Sequence, residues 1–528
     1  MGNNHKEHSV LKQTNAGTLP LFTRLIVLAE VSFLCLFTVP EAAAAGETVF
    51  ELSRLSVADK VLDIITEDLN ADDLEDIMII HRKGLPPDET RWISIFWQYK
   101  NGSFSTAADQ SWPIDSTAII IDTGDIVDDA KKEIVYVTPH DLRYYSINDG
   151  FYGDASTSLF DAEGLAVYPS ENSIPHIDFV RDWDDDGADD IAVFTFDGLF
   201  INRRLSDGAF QADSAITIDL ETKMRRTPFD TEKDVTTGLS AIYTFPDIRL
   251  IDFNADGERD IITTEDDEIS VYLRNGKRFS PEQNYYINFD VRTKEEKIEG
   301  TASMQTMISD LNGDGYADAI VTKQTAKGLS KFRGVISIFH GGPEGYAENR
   351  GQVIISEGTA SSASYIRDVN GDGRLDLVLP SVKISISAII RFLITRSMPI
   401  YLNIFLLDEQ GRFSDRPNFT KEVKFKIDLS GDSDTQAMDI DGDYNGDKLK
   451  DFVFATDEDE LSIYLGITGG GDRLFSKKPV AKVGANAFGE LSSPDLNRDG
   501  YSDMIIYYPN SKDRMGLVEV LINQRRIE

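Results

Sequence analysis

From about residue 47 onward, apolar and polar positions recur in one fixed order. A short strand leads into an acidic stretch, as in Ser364-Tyr365-Ile366-Arg367. A nearly unbroken apolar run leaves it: Ile77-Met78-Ile79-Ile80, Ile134-Val135-Tyr136-Val137, Ile191-Ala192-Val193-Phe194, Ile261-Ile262, Leu377-Val378-Leu379, Phe452-Val453-Phe454 and Met504-Ile505-Ile506. Runs of this length suit strands covered on both faces. A third segment alternates, as in Ile269-Ser270-Val271-Tyr272-Leu273 or Val335-Ile336-Ser337-Ile338-Phe339, the pattern of a half-buried strand. A glycine turn and an aromatic follow, at Gly102-Ser103-Phe104, Gly208-Ala209-Phe210, Gly276-Lys277-Arg278-Phe279 and Gly411-Arg412-Phe413, which predicts a hairpin into a fourth, outer strand.

The acidic stretches start at Asp68, Asp125, Asp182, Asp252, Asp310, Asp368, Asp443 and Asp495, at steps of 57, 57, 70, 58, 58, 75 and 52 residues. A period of this size marks a repeat architecture, and four short strands with their turns make one blade of a β-propeller. The last repeat has strands at Met504 to Tyr507 and Leu517 to Ile522 and lacks an outer one, while a spare strand, Val49 to Val57, precedes the first repeat. If the spare strand completes the last blade, the ring closes with no sheet edge at the seam. The reading is therefore an all-β, eight-bladed propeller of four-stranded blades closed by the N-terminal strand. Seven blades is the alternative, because the Asp125 stretch is irregular.

The stretch Asp310-Leu311-Asn312-Gly313-Asp314-Gly315-Tyr316-Ala317-Asp318 sets the chemistry. Side-chain oxygens fall at positions 1, 3, 5 and 9, with glycine at position 6 for a sharp turn, and hard cations such as calcium take six to eight oxygen ligands. Five loops match fully: Asp182, Asp184, Asp186 and Asp190; Asp252, Asn254, Asp256 and Asp260; Asp310, Asn312, Asp314 and Asp318; Asp368, Asn370, Asp372 and Asp376; Asp495, Asn497, Asp499 and Asp503. The first of these carries aspartate at all four positions and is expected to be the most negative. Two loops depart at the glycine: Asp68, Asn70, Asp72 and Asp76 with Asp73 there, and Asp443, Asn445, Asp447 and Asp451 with Lys448. The Asp125 loop has Val127, Ala130 and Glu133 at positions 3, 6 and 9 and is expected to hold no ion. Five to seven calcium ions are the expectation. Aspartate-capped turns need no metal and are the alternative for any one loop. Across five full matches, clustered carboxylates repel unless a cation or protons neutralise them. An EF-hand would need Glu at position 12 and flanking helices; position 12 is Val321, Leu379 and Ile506 in three copies, between strands.

On these loops the chain resembles the FG-GAP/VCBS repeat family, the integrin-alpha-like propellers, whose blades carry D-x-[DN]-x-D-G-x-x-D between their first and second strands. Phe339-His340-Gly341-Gly342-Pro343 and Phe488-Gly489 are looser echoes of the phrase behind the family's name. The resemblance covers nearly all of the chain after the leader and implies the propeller and calcium. It leaves the biological role open, since the family includes adhesion receptors, surface proteins and propellers attached to enzymes.

Charge agrees. The chain of 528 residues has net charge −37, from 90 acidic against 53 basic residues. Carboxylates at positions 1, 3, 5 and 9 of the eight loops supply 25 of those acids. That balance argues against nucleic acid, whose phosphates need Lys and Arg. At the start, Arg24 precedes the apolar run Leu25 to Val39 and then Ala42-Ala43-Ala44-Ala45, the pattern of an export signal over residues 1–45, with an uncleaved anchor as the alternative. The propeller would then occupy 46–528, outside the cell, at its surface or in a periplasm. Cleavage removes Cys35, the single cysteine, and with it disulfides and thiolate metal sites.

Two repeats are long. Between Asp182 and Asp252 the excess, Glu221 to Leu239 with Lys223, Arg225 and Arg226, reads as a solvated loop, or else a docking loop for an acidic partner. Between Asp368 and Asp443 the excess, about 384–398, is apolar: Ile384, Ile386, Ile389, Ile390, Phe392, Leu393 and Ile394, with Arg391 and Arg396. A helix there would carry Ile386, Ile389, Ile390 and Leu393 on one stripe, expected to pack against the rim, with docking to a partner or a membrane surface as the alternative. Nucleophile-elbow, phosphate-loop and zinc motifs are absent from the sequence, and His81, His140, His176 and His340 fall in different repeats. The functional expectation is an exported calcium-binding module for a protein or carbohydrate ligand at the cell surface. The rivals are a propeller-based polysaccharide lyase or hydrolase and a membrane-tethered assembly factor.

Overall fold

A computed structural model of the chain describes residues 49–527 apart from 85–88, 163, 165–172, 214, 219, 227–238, 327–331, 347–350, 358, 362–364, 384, 396, 428–432, 436, 458, 469–472, 487, 512 and 526. The leader and Cys35 lie outside the described residues. The fold is a propeller of eight antiparallel sheets, with two short helices among the described residues, Lys294–Glu299 and Ile386–Thr395. Seven blades is ruled out, because the irregular Asp125 repeat forms a complete four-stranded sheet of its own, Ile120–Gly124, Glu133–Val137, Asp141–Tyr145 and Thr157–Asp161.

Each acidic loop joins the first strand of a blade to the second. In blade 5 the strands are Ala302–Ser309, Asp318–Ala326, Phe332–Phe339 and Gln352–Glu357, paired in that order. The second strands are the most enclosed, as their apolar runs predict: Ile77, Met78, Ile79 and Ile80 are all fully buried. Apolar clusters form between neighbouring sheets. One joins Val61, Ile77, Ile79 and Phe96 of blade 1 to Leu496, Ile505, Val518 and Val520 of blade 8. Neighbouring blades are therefore held by burial of facing side chains, each worth about 1.5–3 kcal/mol.

The seam closes as the spare strand predicts. Phe50–Ser56 pairs antiparallel with Leu517–Asn523, from Phe50 opposite Asn523 to Ser56 opposite Leu517, and becomes the outer strand of blade 8. Leu55 is fully buried in the cluster shared by blades 8 and 1, and Phe50 enters the cluster shared by blades 7 and 8.

Both long repeats differ from expectation. Glu221–Arg226 pairs with Leu239–Thr244 as a two-stranded ribbon, where a solvated loop was expected. β-Branched and aromatic residues in Leu239–Thr244 give that segment a strand preference, which the charges of its partner mask. The 384–398 insertion does contain a helix, Ile386–Thr395, but its stripe is not packed on the rim. Ile386, Ile390, Leu393 and Ile394 are 67%, 52%, 58% and 77% exposed. Ile389 alone of the expected stripe turns inward, against Phe332. The tips of blades 5 and 6 offer only a narrow apolar contact, so one line of side chains fills it.

Deleting Val49 to Val57 should strip the outer strand from blade 8 and remove two buried side chains, a loss of about 3–6 kcal/mol. A urea midpoint equal to that of a chain beginning at Gly46 would contradict the closure. A second tie joins blades 2 and 3. The Asp122 carboxylate accepts from the backbone N–H groups of Phe179 and Val180 at 2.6 and 2.7 Å and faces His176 Nε2 at 3.1 Å. The hydrogen bond to Asp122 raises the His176 pKa, while burial raises Asp122 in spite of its partners. A group with a raised folded pKa stabilises most below its unfolded value, about 6.5 for His, and loses that contribution as pH climbs through the folded value. The melting temperature should therefore fall on going from pH 6 to pH 8, and His176→Gln should make that slope shallower by the share of this one pair, as thermal melts of the two proteins across the range would show.

Candidate metal loops

The eight loops share one backbone course. Position 6 has positive φ in all of them: Gly187, Gly257, Gly315, Gly373 and Gly500 at 83–89°, and Asp73, Ala130 and Lys448 at 67–69°. Position 4 does as well, at Ala71, Asp128, Asp185, Ala255, Gly313, Gly371, Gly446 and Arg498. Left-handed backbone costs a non-glycine residue about 1–2 kcal/mol. The loops that lack glycine adopt it anyway, so something outweighs that cost.

The carboxylates at positions 1 and 9 do so. Asp368 accepts from Gly371 N and Asp372 N through Oδ1, at 2.7 and 3.1 Å, and from Gly373 N through Oδ2 at 2.9 Å. Asp376, fully buried at position 9, accepts from Val369 N at 3.0 Å and Leu407 N at 2.9 Å. The same pair of bonds recurs at Asp76 (Leu69 and Gln98), Asp190 (Trp183 and Arg204), Asp260 (Phe253 and Arg274), Asp318 (Leu311 and Gly341), Asp451 (Tyr444 and Gly466) and Asp503 (Leu496 and Asn523). Each position-9 carboxylate thus ties the start of the loop, the start of the second strand and the exit of the third. His340 directs Nδ1 at Asp318 Oδ1, 3.2 Å away.

Position 9 is also the electrostatic weak point. Burial, with the other loop carboxylates adding to it, pushes Asp76, Asp190, Asp376, Asp451 and Asp503 up to about 7 and Asp260 up to about 6. Positions 3 and 5 lie nearer the surface. In four of the six loops with Asn at position 3, its Nδ2 donates to the position-5 carboxylate: Asn254 to Asp256, Asn312 to Asp314, Asn370 to Asp372 and Asn445 to Asp447, at 2.9–3.0 Å.

Among the described residues, the one set of three acidic side chains whose oxygens converge within 4.8 Å is Asp182, Asp184 and Asp190. This is the loop whose four aspartates make it the most negative in the sequence. Asp184 Oδ1 is buried there with no hydrogen-bond partner. An all-oxygen set with an unsatisfied buried acceptor fits a hard divalent cation. Protein cations also approach it: Lys277 Nζ lies 3.8 Å from Asp184 and contacts Asp186, and Arg203 lies 3.9 Å from Asp184. In the Asp125 loop the carboxylate faces Arg204 at 3.6 Å, and Val127 at position 3 is exposed.

Sequence reasoning missed a ring of contacts between the loops. Glu75 N donates to Leu496 O, Lys132 N to Leu69 O, Leu375 N to Leu311 O and Ser502 N to Asp443 O, at 2.7–3.0 Å. Asp125 N reaches Asp189 Oδ2, Arg259 reaches Asp182 O, Asn254 bridges to Tyr316, and Gly371 abuts Leu449. Every neighbouring pair of loops is joined, the pair across the seam included. Arg498 adds ion pairs there to Asp68, Asp73 and Glu75. Four of these bonds come from the backbone N–H just before position 9, at Glu75, Lys132, Leu375 and Ser502, so side-chain identity gave no signal for them.

Eight four-stranded sheets with an acidic loop between the first two strands of each blade define a β-propeller of the binding or scaffold class. Residues 252–321 and 310–379 match the model of the FG-GAP-like repeat, and the eight-bladed propeller around them is consistent with an FG-GAP-repeat protein. No curated protein matches the sequence. Among solved structures it is similar to an N-acetylglucosamine-recognising lectin of Agrocybe aegerita, at 14% identity over 87% of this chain and 99% of that chain, TM-score 0.37. It is also similar to Chaetomium thermophilum Sqt1 bound to the N-terminus of ribosomal protein L10, at 11% identity over 89% and 98%, TM-score 0.40. The V. cholerae biofilm matrix protein Bap1 matches at 12% identity over 90% and 88%, TM-score 0.30. Likenesses at that level say nothing about this chain's ligand.

Without added calcium, Asp376→Ala should destabilise by about 2–6 kcal/mol, because two buried backbone N–H groups lose their acceptor. Asp372→Ala, nearer the surface, should cost far less under the same conditions. Equal denaturant midpoints for the two variants would refute the division of labour within the loop.

Proposed function

We propose that the chain is an exported, calcium-loaded propeller that binds or scaffolds a protein or carbohydrate ligand at the cell surface. The observation that carries the calcium reading is the convergence of Asp182, Asp184 and Asp190 on one point with Asp184 Oδ1 unsatisfied. Positions 1, 3, 5 and 9 of the seven loops other than Asp125 would hold the ions, five to seven in all. A bound divalent cation supplies the positive charge that lets crowded carboxylates stay ionised. The chain's own part is mechanical: positions 1 and 9 hold the loop's course through backbone N–H groups and offer their remaining lone pairs to the ion together with positions 3 and 5. In the Asp182 loop an ion competes with Lys277 for Asp184 and Asp186.

Binding rather than catalysis is favoured by how three of the four described histidines are used, the fourth, His140, being exposed. His81 Nε2 meets Ser94 Oγ at 2.9 Å, His176 meets Asp122 and His340 meets Asp318, each inside a different inter-strand contact. Export is supported by the leader pattern in the sequence and by the frequent occurrence of this repeat at cell surfaces. Among the described residues no helix is long and apolar enough to cross a membrane.

Calorimetric titration of chelator-treated protein should show several calcium sites, and millimolar calcium should raise the melting temperature. Asp314→Ala and Asp372→Ala should each lose part of that rise, whereas Asp125→Ala should keep it. A protein with no calcium heat and an unchanged melt would overturn the metal reading.

A further inference from the structure

We propose that the helix Ile386–Thr395, together with the start of the third strand of blade 5 at Phe332 and Arg333, is a docking surface for an anionic lipid membrane. In blade 6 the second strand, Asp376–Lys383, begins in the acidic loop and ends at the helix insertion. Eight residues at about 3.3 Å each set the two some 25 Å apart, so the helix stands on the face opposite the ring of acidic loops. Phe332, at the start of that third strand, packs with Ala326, Val382 and Ile389 and joins the two blades into one surface.

That surface differs from the rest of the molecule in both charge and polarity. In a chain of net charge −37, residues 319–343 and 377–407 contain no Asp or Glu. The first stretch holds four Lys or Arg and the second three. Arg333, Lys383 and Arg391 are exposed there. Lys323 is buried against Glu296 at 2.9 Å, which takes up the nearest carboxylate of the adjoining helix. Ile386, Ile390, Leu393 and Ile394 point outward at one-turn and two-turn spacing, each more than half exposed. A helix with an outward apolar stripe and flanking cations lies in the plane of a membrane interface, where acyl chains cover the stripe and anionic headgroups meet the cations. Charge complementarity selects this occupant. An anionic surface would be repelled by the acidic loops and by the acidic hairpins of the other blades, such as Asp266, Asp267 and Glu268 in blade 4, and would meet the protein at this sector.

The test uses the full chain with Cys35→Ser and Ile394→Cys, labelled at the introduced thiol with an environment-sensitive fluorophore, so that the signal comes from the helix and not from the leader. Vesicles of phosphatidylcholine with an equal share of phosphatidylglycerol should shift the emission to the blue. Ile386→Ser with Ile390→Ser should weaken the response about tenfold or more, and so should high salt. Unchanged emission, an equal response to phosphatidylcholine alone, or a response that survives the serine pair would overturn the proposal. So would a concentration-dependent dimer, in sedimentation without lipid, that Ile390→Ser dissolves, because the face would then belong to a second copy.

Discussion

A carboxylate buried from water, accepting one backbone N–H from the loop before it and one from the end of the third strand, recurs in seven of the eight loops. Glu133 stands in its place in the eighth, accepting from Ile126 N at 3.2 Å. Burial of an ionised group is tolerable only where its lone pairs are satisfied. The aspartates at position 9 meet that condition from inside the blade, and the rest of the loop follows from it. With both ends of the loop fixed, positions 4 and 6 are driven into left-handed backbone even where the residue is Ala130, Lys448 or Arg498. The crowding of negative charge at positions 1, 3 and 5 is then a consequence of a scaffold whose course is already set.

The architecture was legible in the sequence because its signals are periodic. Apolar runs after each acidic stretch, alternation in the third strand and the missing outer strand at the C-terminal end gave eight blades and the closure by Phe50–Ser56. The parts of the loop were less legible. All four oxygen positions look alike in a sequence, yet positions 1 and 9 also accept backbone N–H groups, and only the Asp182 loop, among the described residues, draws three carboxylates together. The difference depends on an asparagine at position 3, which removes one negative charge and in four loops donates its amide to position 5. The contacts that link loop to loop have no local signature, because their partners lie about one repeat apart. The exposed stripe on Ile386–Thr395 was hidden for a further reason: helical periodicity says which residues share a face, not what that face meets.

One sector of the ring is chemically set apart. One face concentrates the acidic loops, bridged by Arg259 to Asp185 and by Arg498 across the seam. On the other face the hairpins of most blades keep carboxylates, as at Asp266, Asp267 and Glu268 in blade 4 and Asp457 and Glu460 in blade 7, whereas those of blades 5 and 6 have none. Net charge alone describes a uniformly acidic protein, whereas the charge is uneven around the ring. Such a molecule orients itself in the field of any charged surface before it makes contact.

The pairing of Phe50–Ser56 with Leu517–Asn523 also sets an order of events during biosynthesis. Arg54 meets Glu519 across 465 residues of sequence, so the earliest strand to leave the ribosome must wait for nearly the last. At about 5–20 residues per second that wait is roughly half a minute to a minute and a half. Through that interval the nascent chain holds an unsatisfied sheet margin at each end of its array, the condition in which strands recruit neighbours from other chains. A chaperone or a translocation channel that keeps the young polypeptide extended until its tail is released would suit this topology better than early compaction.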